Sequence, residues 1–383
     1  MKITVAIDSF KGSLDTFQSG AAVTDAIRAV YPDAEVKVCP LADGGEGTVS
    51  AIVSALDGEI CELEVCGPLG QRVVAEYGVV SDKQLAIIEM SAAAGITLVP
   101  DEKRNPLNTT TYGVGELILH AIEKKGCRHF LIGIGGSATN DGGLGMLSAL
   151  GFEFLDKDGK SVSYFGRGLG DIVRINADKC LPALKDCSFE IACDVNNPLY
   201  GELGCSRIYG PQKGATEEII RDMDAWLSNY AILTKSVFEN ADANCPGAGA
   251  AGGLGFAFLS YLGASLTSGI ELVIRATELE KHIKDADIVV TGEGRLDAQS
   301  CMGKAPVGVA RAAKKYGKPV IAFSGAVTKD AGLCNQHGID AFFPIVRTPC
   351  SLKDAMDIDN AYANLKNTAE QVFRLVKSFS KNN

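Results

Sequence analysis

Two spacings of apolar residues alternate near the start of the chain. A β-branched run at residues 3–8 predicts a first strand, and residues 35–40 predict a second. Residues 20–31 and 47–56 carry apolar side chains at helical spacing and predict helices. Alternation of strands and helices is typical of a parallel sheet with helices packed on its faces.

The same alternation returns near the end of the chain. Short apolar runs at residues 287–291 (DIVVT), 319–324 (PVIAFS) and 341–346 are separated by helical stretches, and residues 359–378 predict a terminal helix. DIVVT and VIAFS lack polar alternation, as expected of strands buried on both faces. Together with the first two strands, these runs predict a flavodoxin-like doubly wound parallel sheet.

The middle of the chain has a different pattern. Residues 62–80 predict antiparallel strands that turn at residues 67–70, GPLG. Further elements are predicted as strands at 130–134, 152–155 and 189–192 and as a helix at 217–239. The change of pattern predicts an inserted α/β domain at 61–286, within a discontinuous flavodoxin-like (Rossmann-like) domain formed by 1–60 and 287–383. We expect ligands to bind in a cleft between the two domains.

Composition and charge narrow the class of protein. The chain has 383 residues, of which 46% are hydrophobic and 22% are charged, a balance typical of a globular enzyme. A net charge of −10 disfavours nucleic acid or an anionic membrane as partner, because both require a cationic face. The apolar run at the start is broken by Asp8, unlike a signal peptide or a membrane span, so we expect a cytoplasmic protein. We expect a monomer or a homodimer, and the sequence leaves that choice open.

Cysteine and histidine give little support to thiol, zinc or histidine-base chemistry. The 12 Cys residues are spread along the chain without a C-x-x-C pair, and the 4 His residues do not stand at metal-ligand spacing. Acids, lysines, arginines and glycine-rich loops are therefore the candidates for the catalytic and binding groups.

The first such segment, DSFKGS, follows the first predicted strand at its carboxyl end, where open α/β sheets bind ligands. Lys11 suits a phosphate group, Ser9 adds a hydroxyl, and Asp8 suits a magnesium ion or a substrate proton. The alternative is a plain connecting loop in which Ser13 or Asp15 caps the next helix.

The second segment, LADGGEGT, follows the second predicted strand and opens a helix. Backbone N–H groups at a helix N-terminus attract anions, and Asp43 and Glu46 suit a metal or a substrate hydroxyl. The alternative is a glycine-rich turn whose acids stabilise the helix dipole.

The third segment, GIGGSATNDGG at residues 133–143, follows a predicted buried strand and suits phosphate, because successive small residues let backbone amides turn toward an anion. It is not a Walker loop. It matches G-x-G-x-x-A, so dinucleotide binding is an alternative, although Gly142, Gly143 and Gly145 would interrupt the helix which that motif requires. A G-x-G-x-x-G at 247–252 follows no predicted strand.

The last two segments carry more acids and bases. In ACDVNNPL, Asp194 suits magnesium or substrate, and in PQKGA, Lys213 suits phosphate, although Asn197-Pro198 also reads as a turn. The segment TGEGRLDAQS with Lys304 beyond it follows a predicted strand at its carboxyl end and offers the groups that phosphoryl transfer needs. Its alternative is a salt-bridged surface loop.

Taken together in this order, DSFKGS, LADGGEGT, GIGGSATNDGG, ACDVNNPL, PQKGA, GAGAAGGLG and TGEGRLDAQS resemble the bacterial glycerate kinase family of the glycerate 2-kinase type over essentially the whole chain. The resemblance implies phosphorylation of D-glycerate by ATP to 2-phosphoglycerate, with Mg²⁺ as cofactor. Phosphorylation at the C3 hydroxyl, or an NAD(P)-dependent hydroxy-acid dehydrogenase, remains an alternative.

Individual roles are assigned from charge and position. The residues expected to be catalytic are Asp8, Lys11, Asp194, Glu293, Arg295 and Asp297. Those expected to bind substrate are Ser9, Asp43, Glu46, Lys213 and Lys304. ATP is expected on Gly135, Gly136, Ser137, Thr139 and Asn140, and Mg²⁺ on Asp194 and Glu293. Which acid binds the metal and which orients the attacking hydroxyl stays open.

Overall fold

A computed structural model describes residues 1–380 of the chain, which divide into two compact units. The first unit comprises Met1–Asp43, Ser50–Leu56 and the described part of Ile270–Asn383. The second comprises Gly44–Val49 and Asp57–Gly269. The domain boundaries expected from the strand pattern stay a prediction.

The strands are β1 (Lys2–Ile7), β2 (Glu35–Val38), β3 (Glu59–Cys66), β4 (Arg72–Val80), β5 (Leu85–Glu89), β6 (His129–Gly133), β7 (Glu153–Leu155), β8 (Arg174–Asn176), β9 (Ser188–Ala192), β10 (Ser265–Thr267), β11 (Ile288–Leu296), β12 (Val320–Val327) and β13 (Ala341–Pro344). The α-helices are α1 (Thr16–Val30), α2 (Thr48–Ala55), α3 (Ser91–Ala94), α4 (Tyr112–Lys125), α5 (Leu144–Ala149), α6 (Cys205–Tyr209), α7 (Glu217–Val237), α8 (Ala250–Leu262), α9 (Gly269–Ala276), α10 (Leu279–Asp285), α11 (Ala305–Lys315), α12 (Leu333–Gln336), α13 (Leu352–Met356) and α14 (Ile358–Ser380).

The first unit is built on a parallel sheet of five strands in the order β13-β12-β11-β1-β2. This is the flavodoxin-like order. All five strands are parallel, and the chain adds strands on one side of β1 first and then on the other, so the strand order reverses between β1 and β11. The observed architecture, together with the α/β second unit, confirms the predicted fold class. Ligands of such sheets bind outside the carboxyl ends of the strands at this reversal.

Apolar side chains of the strands and of two helices form the core of the first unit. Ile3, Val5 and Ile7 of β1 are buried against the apolar faces of α1 and α14. Asp15 begins α1 with a capping box: its side chain accepts from the Gln18 backbone N–H, and the Gln18 side chain accepts from the Asp15 N–H. The loop before α1 therefore contains the helix cap as well as the candidate site residues.

Strand β11 is longer than the sequence predicted. The predicted strand ends at residue 291, but β11 continues to Leu296 because Glu293, Arg295 and Leu296 pair with β12. Gly292 makes this pairing possible, since a Cβ atom there would lie 2.1 Å from the carbonyl oxygen of Phe323. The segment GEGRL is thus part of a strand rather than the loop that follows it.

The second unit contains a mixed sheet of six strands in the order β10-β9-β6-β5-β4-β3 and a separate antiparallel pair, β7 and β8. β3 and β4 form the predicted antiparallel hairpin, with Cys66 opposite Arg72 across the turn. β5, β6, β9 and β10 are parallel neighbours, so the segments after β6 and β9 leave the same edge of the sheet. Within residues 1–380, no helix is both long enough and apolar enough to span a membrane.

Candidate active site

Asp8 and Glu293 lie beside one another in the first unit, at the reversal of strand order. β1 and β11 are in register with Ile7 opposite Gly292, and the Asp8 N–H donates to the Gly292 carbonyl oxygen at 3.0 Å. Asp8 follows the end of β1, and Glu293 follows Gly292 directly. The register of the sheet therefore brings both predicted catalytic acids to the ligand-binding edge.

Asp8 is almost completely buried, with 3% of its surface exposed. Burial, and then the neighbouring charge of Asp43, raises the pKa of Asp8 to about 7, against the hydrogen bond that the Ser9 N–H donates to it at 2.7 Å. Such a carboxyl exchanges a proton near neutral pH, as a general base requires.

Lys11 supplies the positive charge beside these acids. Its Nζ atom lies 3.3 Å from Asp43 Oδ2, and its side chain is 62% exposed. Burial alone would lower the pKa of Lys11, but the charges of Asp43 and Asp8 outweigh burial and raise it. Lys11 is therefore a protonated ammonium that reaches solvent from an acidic surrounding, a suitable group for an anionic ligand.

Glu293 is held by a hydroxyl group that the sequence argument left without a role. Ser300 Oγ donates to Glu293 Oε1 at 2.5 Å, and both side chains are buried. Burial raises the pKa of Glu293, while the Ser300 hydrogen bond and the charge of Lys304 oppose that rise. Lys304 immediately precedes α11, so its charge lies near a helix N-terminus.

Arg295 and Asp297 form an ion pair at the end of β11. Arg295 Nε lies 3.2 Å from Asp297 Oδ2, and the arginine side chain is 68% exposed. Asp297 Oδ1 also accepts from the Gln299 and Ser300 N–H groups at 2.9 and 3.2 Å. Asp297 thus shapes the turn that carries Ser300, and the predicted catalytic roles of both residues stay predictions.

In the second unit, the predicted phosphate loop at residues 135–140 follows β6. Gly135 and Gly136 are exposed, whereas Ser137, Thr139 and Asn140 are buried. Thr139 Oγ1 and Asn140 Oδ1 are buried polar atoms without a hydrogen-bond partner among the described residues. Buried polar atoms are normally paired, so a polar ligand at this loop would have groups to satisfy.

The loop does not open a helix in the manner of a dinucleotide-binding motif. Gly142 and Gly143 adopt left-handed backbone angles, with φ of 62° and 77°, before α5 begins at Leu144. Since the pyrophosphate of a dinucleotide binds at the N-terminus of a helix that starts within the motif, this geometry does not favour the dehydrogenase alternative.

Lys213 lies beneath the loop. Only 3% of its surface is exposed, and its Nζ atom donates to Ser137 Oγ at 2.8 Å and to the Thr139 carbonyl oxygen at 2.6 Å. Burial lowers the pKa of Lys213 to about 8. The ammonium group of Lys213, which is predicted to bind substrate, therefore forms hydrogen bonds with the loop.

Asp141 is a buried acid that the sequence argument did not single out. Its Oδ2 atom accepts from the Thr111 N–H and hydroxyl, each at 2.8 Å, and from the Gly145 N–H at 3.2 Å, while Oδ1 accepts from the Gly143 N–H at 3.1 Å. Asp141 ties the end of the glycine-rich loop to the segment before α4. The only sequence signal for it is an acid directly before glycines.

Two glycines bring the residues after β2 against the loop after β6. A Cβ atom on Gly133, the last residue of β6, would lie 2.2 Å from the Gly44 carbonyl oxygen, so position 133 tolerates no larger residue. Glu46 in this segment is exposed. The anion expected at the following helix N-terminus is present within the chain: Glu89 Oε1 accepts from the Val49 N–H at 2.9 Å.

The two predicted magnesium ligands belong to different units. Asp194 follows β9 in the second unit, and its Oδ1 atom accepts from the Gly269 N–H at 3.1 Å, whereas Glu293 belongs to the first unit. Within the part of the chain that the structure describes, no three His, Cys, Asp or Glu residues are grouped so as to hold a metal ion. A magnesium ion bound by Asp194 or by Glu293 would therefore need further oxygen ligands beyond that carboxylate.

Comparison with known proteins bears on this arrangement. Residues 3–377 match the Glycerate kinase family. The chain is 49% identical to Glycerate 2-kinase of Escherichia coli (strain K12), over 95% of each chain. It is 47% identical to Glycerate kinase of Haemophilus influenzae, over 98% of this chain and 99% of that protein.

The fold has a counterpart among solved structures. A crystal structure of a protein provisionally named glycerate kinase 2, from Salmonella typhimurium LT2, matches with a TM-score of 0.91 and 46% identity, over 100% of this chain and 99% of that one. The family match along nearly the whole chain and the two relatives that share nearly half of their residues with it point to the same family. This chain belongs to the glycerate kinase family.

Proposed function

We propose that this protein transfers the γ-phosphoryl group of ATP to the C2 hydroxyl of D-glycerate, giving 2-phosphoglycerate. The observation that carries the proposal is the pair of buried acids, Asp8 and Glu293, beside the exposed ammonium of Lys11 at the reversal of strand order. Membership of the glycerate kinase family supports it, and the name of the Escherichia coli relative supports C2 as acceptor.

Asp8 is the general base in this proposal. A carboxyl with a pKa of about 7 accepts the proton of the C2 hydroxyl near neutral pH. The hydroxyl oxygen then forms its bond to the γ-phosphorus, the bond from that phosphorus to the bridging oxygen breaks, and ADP leaves with the electron pair. Ser9, which adjoins this base, and Asp43, which pairs with Lys11, are the proposed contacts of glycerate in the first unit.

Positive charge holds the anionic groups. Lys11 is an exposed cation beside Asp8, Arg295 is an exposed cation on the same strand as Glu293, and Lys304 acts on Glu293. We assign them to the glycerate carboxylate and the transferring phosphoryl group, whose negative charge fixed cations stabilise. Glu46 and Asp194 are proposed as substrate and metal contacts in the second unit.

The nucleotide phosphates are assigned to residues 135–140. Gly135 and Gly136 expose backbone that lacks side chains, which permits close approach of a phosphate. The unpartnered Thr139 Oγ1 atom adds a hydroxyl donor, and the buried charge of Lys213 makes the loop favourable for an anion. These features support the ATP assignment.

The acids fit a magnesium ion in their chemistry. Carboxylate oxygens are hard ligands, and Mg²⁺ in kinases takes one or two of them together with phosphate oxygens. Glu293, whose burial raises its pKa, would hold Mg²⁺ in the first unit and Asp194 would do so in the second. When bound, the ion neutralises charge on the phosphate oxygens.

Coupled product detection tests the proposal. Purified protein with ATP, Mg²⁺ and D-glycerate is assayed through enolase, with and without phosphoglycerate mutase. We expect signal without the mutase, and we expect Asp8→Asn to lower kcat by about 10²- to 10⁴-fold with little change in the KM of ATP.

Two other results have distinct meanings. Signal that requires the mutase identifies 3-phosphoglycerate, which overturns the choice of C2 while phosphotransfer to glycerate stands. Absence of glycerate-dependent ADP release from folded protein overturns the proposal altogether, and reduction of a nicotinamide cofactor instead would identify a dehydrogenase.

A further inference from the structure

Lys213 is a charged side chain enclosed by the second unit. It ends a short 3₁₀ turn, Pro211–Lys213, after α6. An ammonium group loses its hydration when it is buried, and this loss is tolerated only where hydrogen bonds replace the water. Here the replacements are Ser137 Oγ and the Thr139 carbonyl oxygen, so the lysine makes its shortest contacts with the loop.

These two bonds hold the loop on both sides of Ala138. The same stretch is tied from another direction, because the Ala138 N–H donates to the Ala94 carbonyl oxygen at 2.9 Å and the Ile96 N–H donates to the Gly136 carbonyl oxygen at 2.8 Å. Lys213 is the charged member of this set of restraints. Gly135 and Gly136 stay exposed in the restrained loop, although the Gly136 carbonyl oxygen is itself hydrogen-bonded.

We propose that Lys213 is a positioning residue, which holds Ser137 and Thr139 from within the second unit and so keeps residues 135–140 in the conformation that binds a nucleotide phosphate. The nature of the ligand rests on the function proposed above, whereas the restraint on the loop does not. Lys213 acts on the ligand through the loop, and substrate need not touch its ammonium.

The unpartnered atoms of the loop give the proposal its second support. Thr139 Oγ1 and Asn140 Oδ1 are buried without partners in the described part of the chain, although Asn140 Nδ2 donates to Ser206 Oγ at 2.9 Å. Lys213 donates to the carbonyl oxygen of Thr139, and the hydroxyl of Thr139 has no partner among the described residues. A loop fixed in this way retains a polar group for a ligand.

The charge of Lys213 gives the arrangement a pH dependence. Burial lowers the pKa of Lys213 to about 8, and the groups that act on it are the Cys205 thiol of α6 and the Asp141 carboxyl after the loop. As pH rises through this value, the ammonium becomes a neutral amine, so the positive charge behind the loop is lost. Affinity for ATP should therefore fall between pH 7 and pH 9.

Hydrogen exchange of the protein without nucleotide tests the restraint directly. We expect Lys213→Met to speed amide exchange in residues 135–140 at constant pH and to weaken ATP binding, measured by calorimetry, by about 10- to 100-fold. Lys157→Met, in an exposed turn after β7, is the matched control and should change neither quantity. In Lys213→Met, ATP affinity should also lose its change between pH 7 and pH 9.

The outcomes separate positioning from direct contact. Weaker ATP binding with unchanged loop exchange would mean that Lys213 touches the ligand, and this would overturn the proposal, as would no change in either measurement. If Lys213→Met does not fold, Lys213→Gln, which keeps a donor without charge, replaces it. Exchange measured without nucleotide is independent of turnover, so failure to phosphorylate glycerate would overturn the proposed function and leave the restraint supported.

Discussion

The burial of Asp8, the proposed general base, also affects the stability of the protein. Its folded-state pKa of about 7 lies above the ordinary value near 4, so the native protein binds an extra proton over that interval. The sign is fixed by this difference: the free energy of unfolding falls as pH rises from about 4 to about 7, because the unfolded chain loses its proton first. Above about pH 7 the native state contains a buried charge.

Replacement of this carboxyl should therefore stabilise the protein at alkaline pH. We expect Asp8→Asn to raise the free energy of unfolding at pH 8 by roughly 2 to 4 kcal/mol and to have little effect near pH 4. Urea unfolding at the two pH values measures the change. Equal stability of the variant and the natural protein at pH 8 would show that the charged form carries no such cost.

Ser300, unlike the charged form of Asp8, should stabilise the folded protein. Ser300→Ala removes the only described side-chain donor to Glu293 and leaves a buried carboxylate without that hydrogen bond. We expect the free energy of unfolding to fall by about 1.5 to 3 kcal/mol at pH 7. Ser236→Ala, which removes an exposed hydroxyl bonded to the Leu233 carbonyl oxygen, is the control and should change it little. Equal losses in both variants would contradict this assignment.

At this scale, the sequence predicts the position of a group that ends a strand, while the role of that group in the site stays a prediction. Asp8 was placed at the ligand-binding edge because it ends an apolar run, and the register of β1 and β11 puts it there. Asp141 and Glu89 were missed because their partners lie 30 and 40 positions away in the chain. These long-range hydrogen bonds depend on how the second unit folds, so no local sequence pattern predicts them.

Strand β11 depends on a glycine next to Glu293, for which a catalytic role is proposed. A Cβ atom at Gly292 would lie 2.1 Å from the Phe323 carbonyl oxygen, so β11 and β12 would have to separate. We expect Gly292→Ala to lower the free energy of unfolding by about 1 to 3 kcal/mol and to reduce activity, because Glu293 would move with the strand.

Gly332, which immediately precedes α12, is the matched control for this change. No atom lies within 4 Å of a Cβ at that position, and its φ is −55°. Gly332→Ala should therefore stabilise the protein by about 0.4 to 1 kcal/mol, chiefly through the unfolded chain. Urea unfolding of both variants gives the comparison, and a loss at Gly332 as large as that at Gly292 would contradict the steric explanation.

Element boundaries were predicted less well than element types. The predicted strand ends at residue 291, with the apolar run DIVVT, yet pairing with β12 extends β11 to Leu296. The helical prediction at residues 217–239 agrees closely with α7, Glu217–Val237. Helical spacing is a local property, whereas the end of a strand is decided by its neighbour.

At the scale of the whole molecule, the order of strands and helices was enough to predict the fold class. Strand–helix alternation at both ends and antiparallel strands between them correspond to the two larger sheets of the structure, those of five and six strands. The division of the candidate residues between two units follows from the same order. The alternation of strands and helices does not predict the side-chain contacts inside each unit, such as those of Lys213 with Ser137 and Thr139.

The strand order of the first unit also governs how the chain can fold during synthesis. β1 pairs with β11, and the contact between Lys2 and Asp287 spans 285 positions. At about 5 to 20 residues per second, β1 leaves the ribosome roughly 15 to 60 s before its partner. The second unit, nearly all of it continuous in sequence, is complete during that wait. The nascent chain therefore exposes one edge of β1 to chaperones or to aggregation until β11 emerges, and a ribosome stalled before residue 288 should hold a chain whose N-terminal strands are accessible to protease.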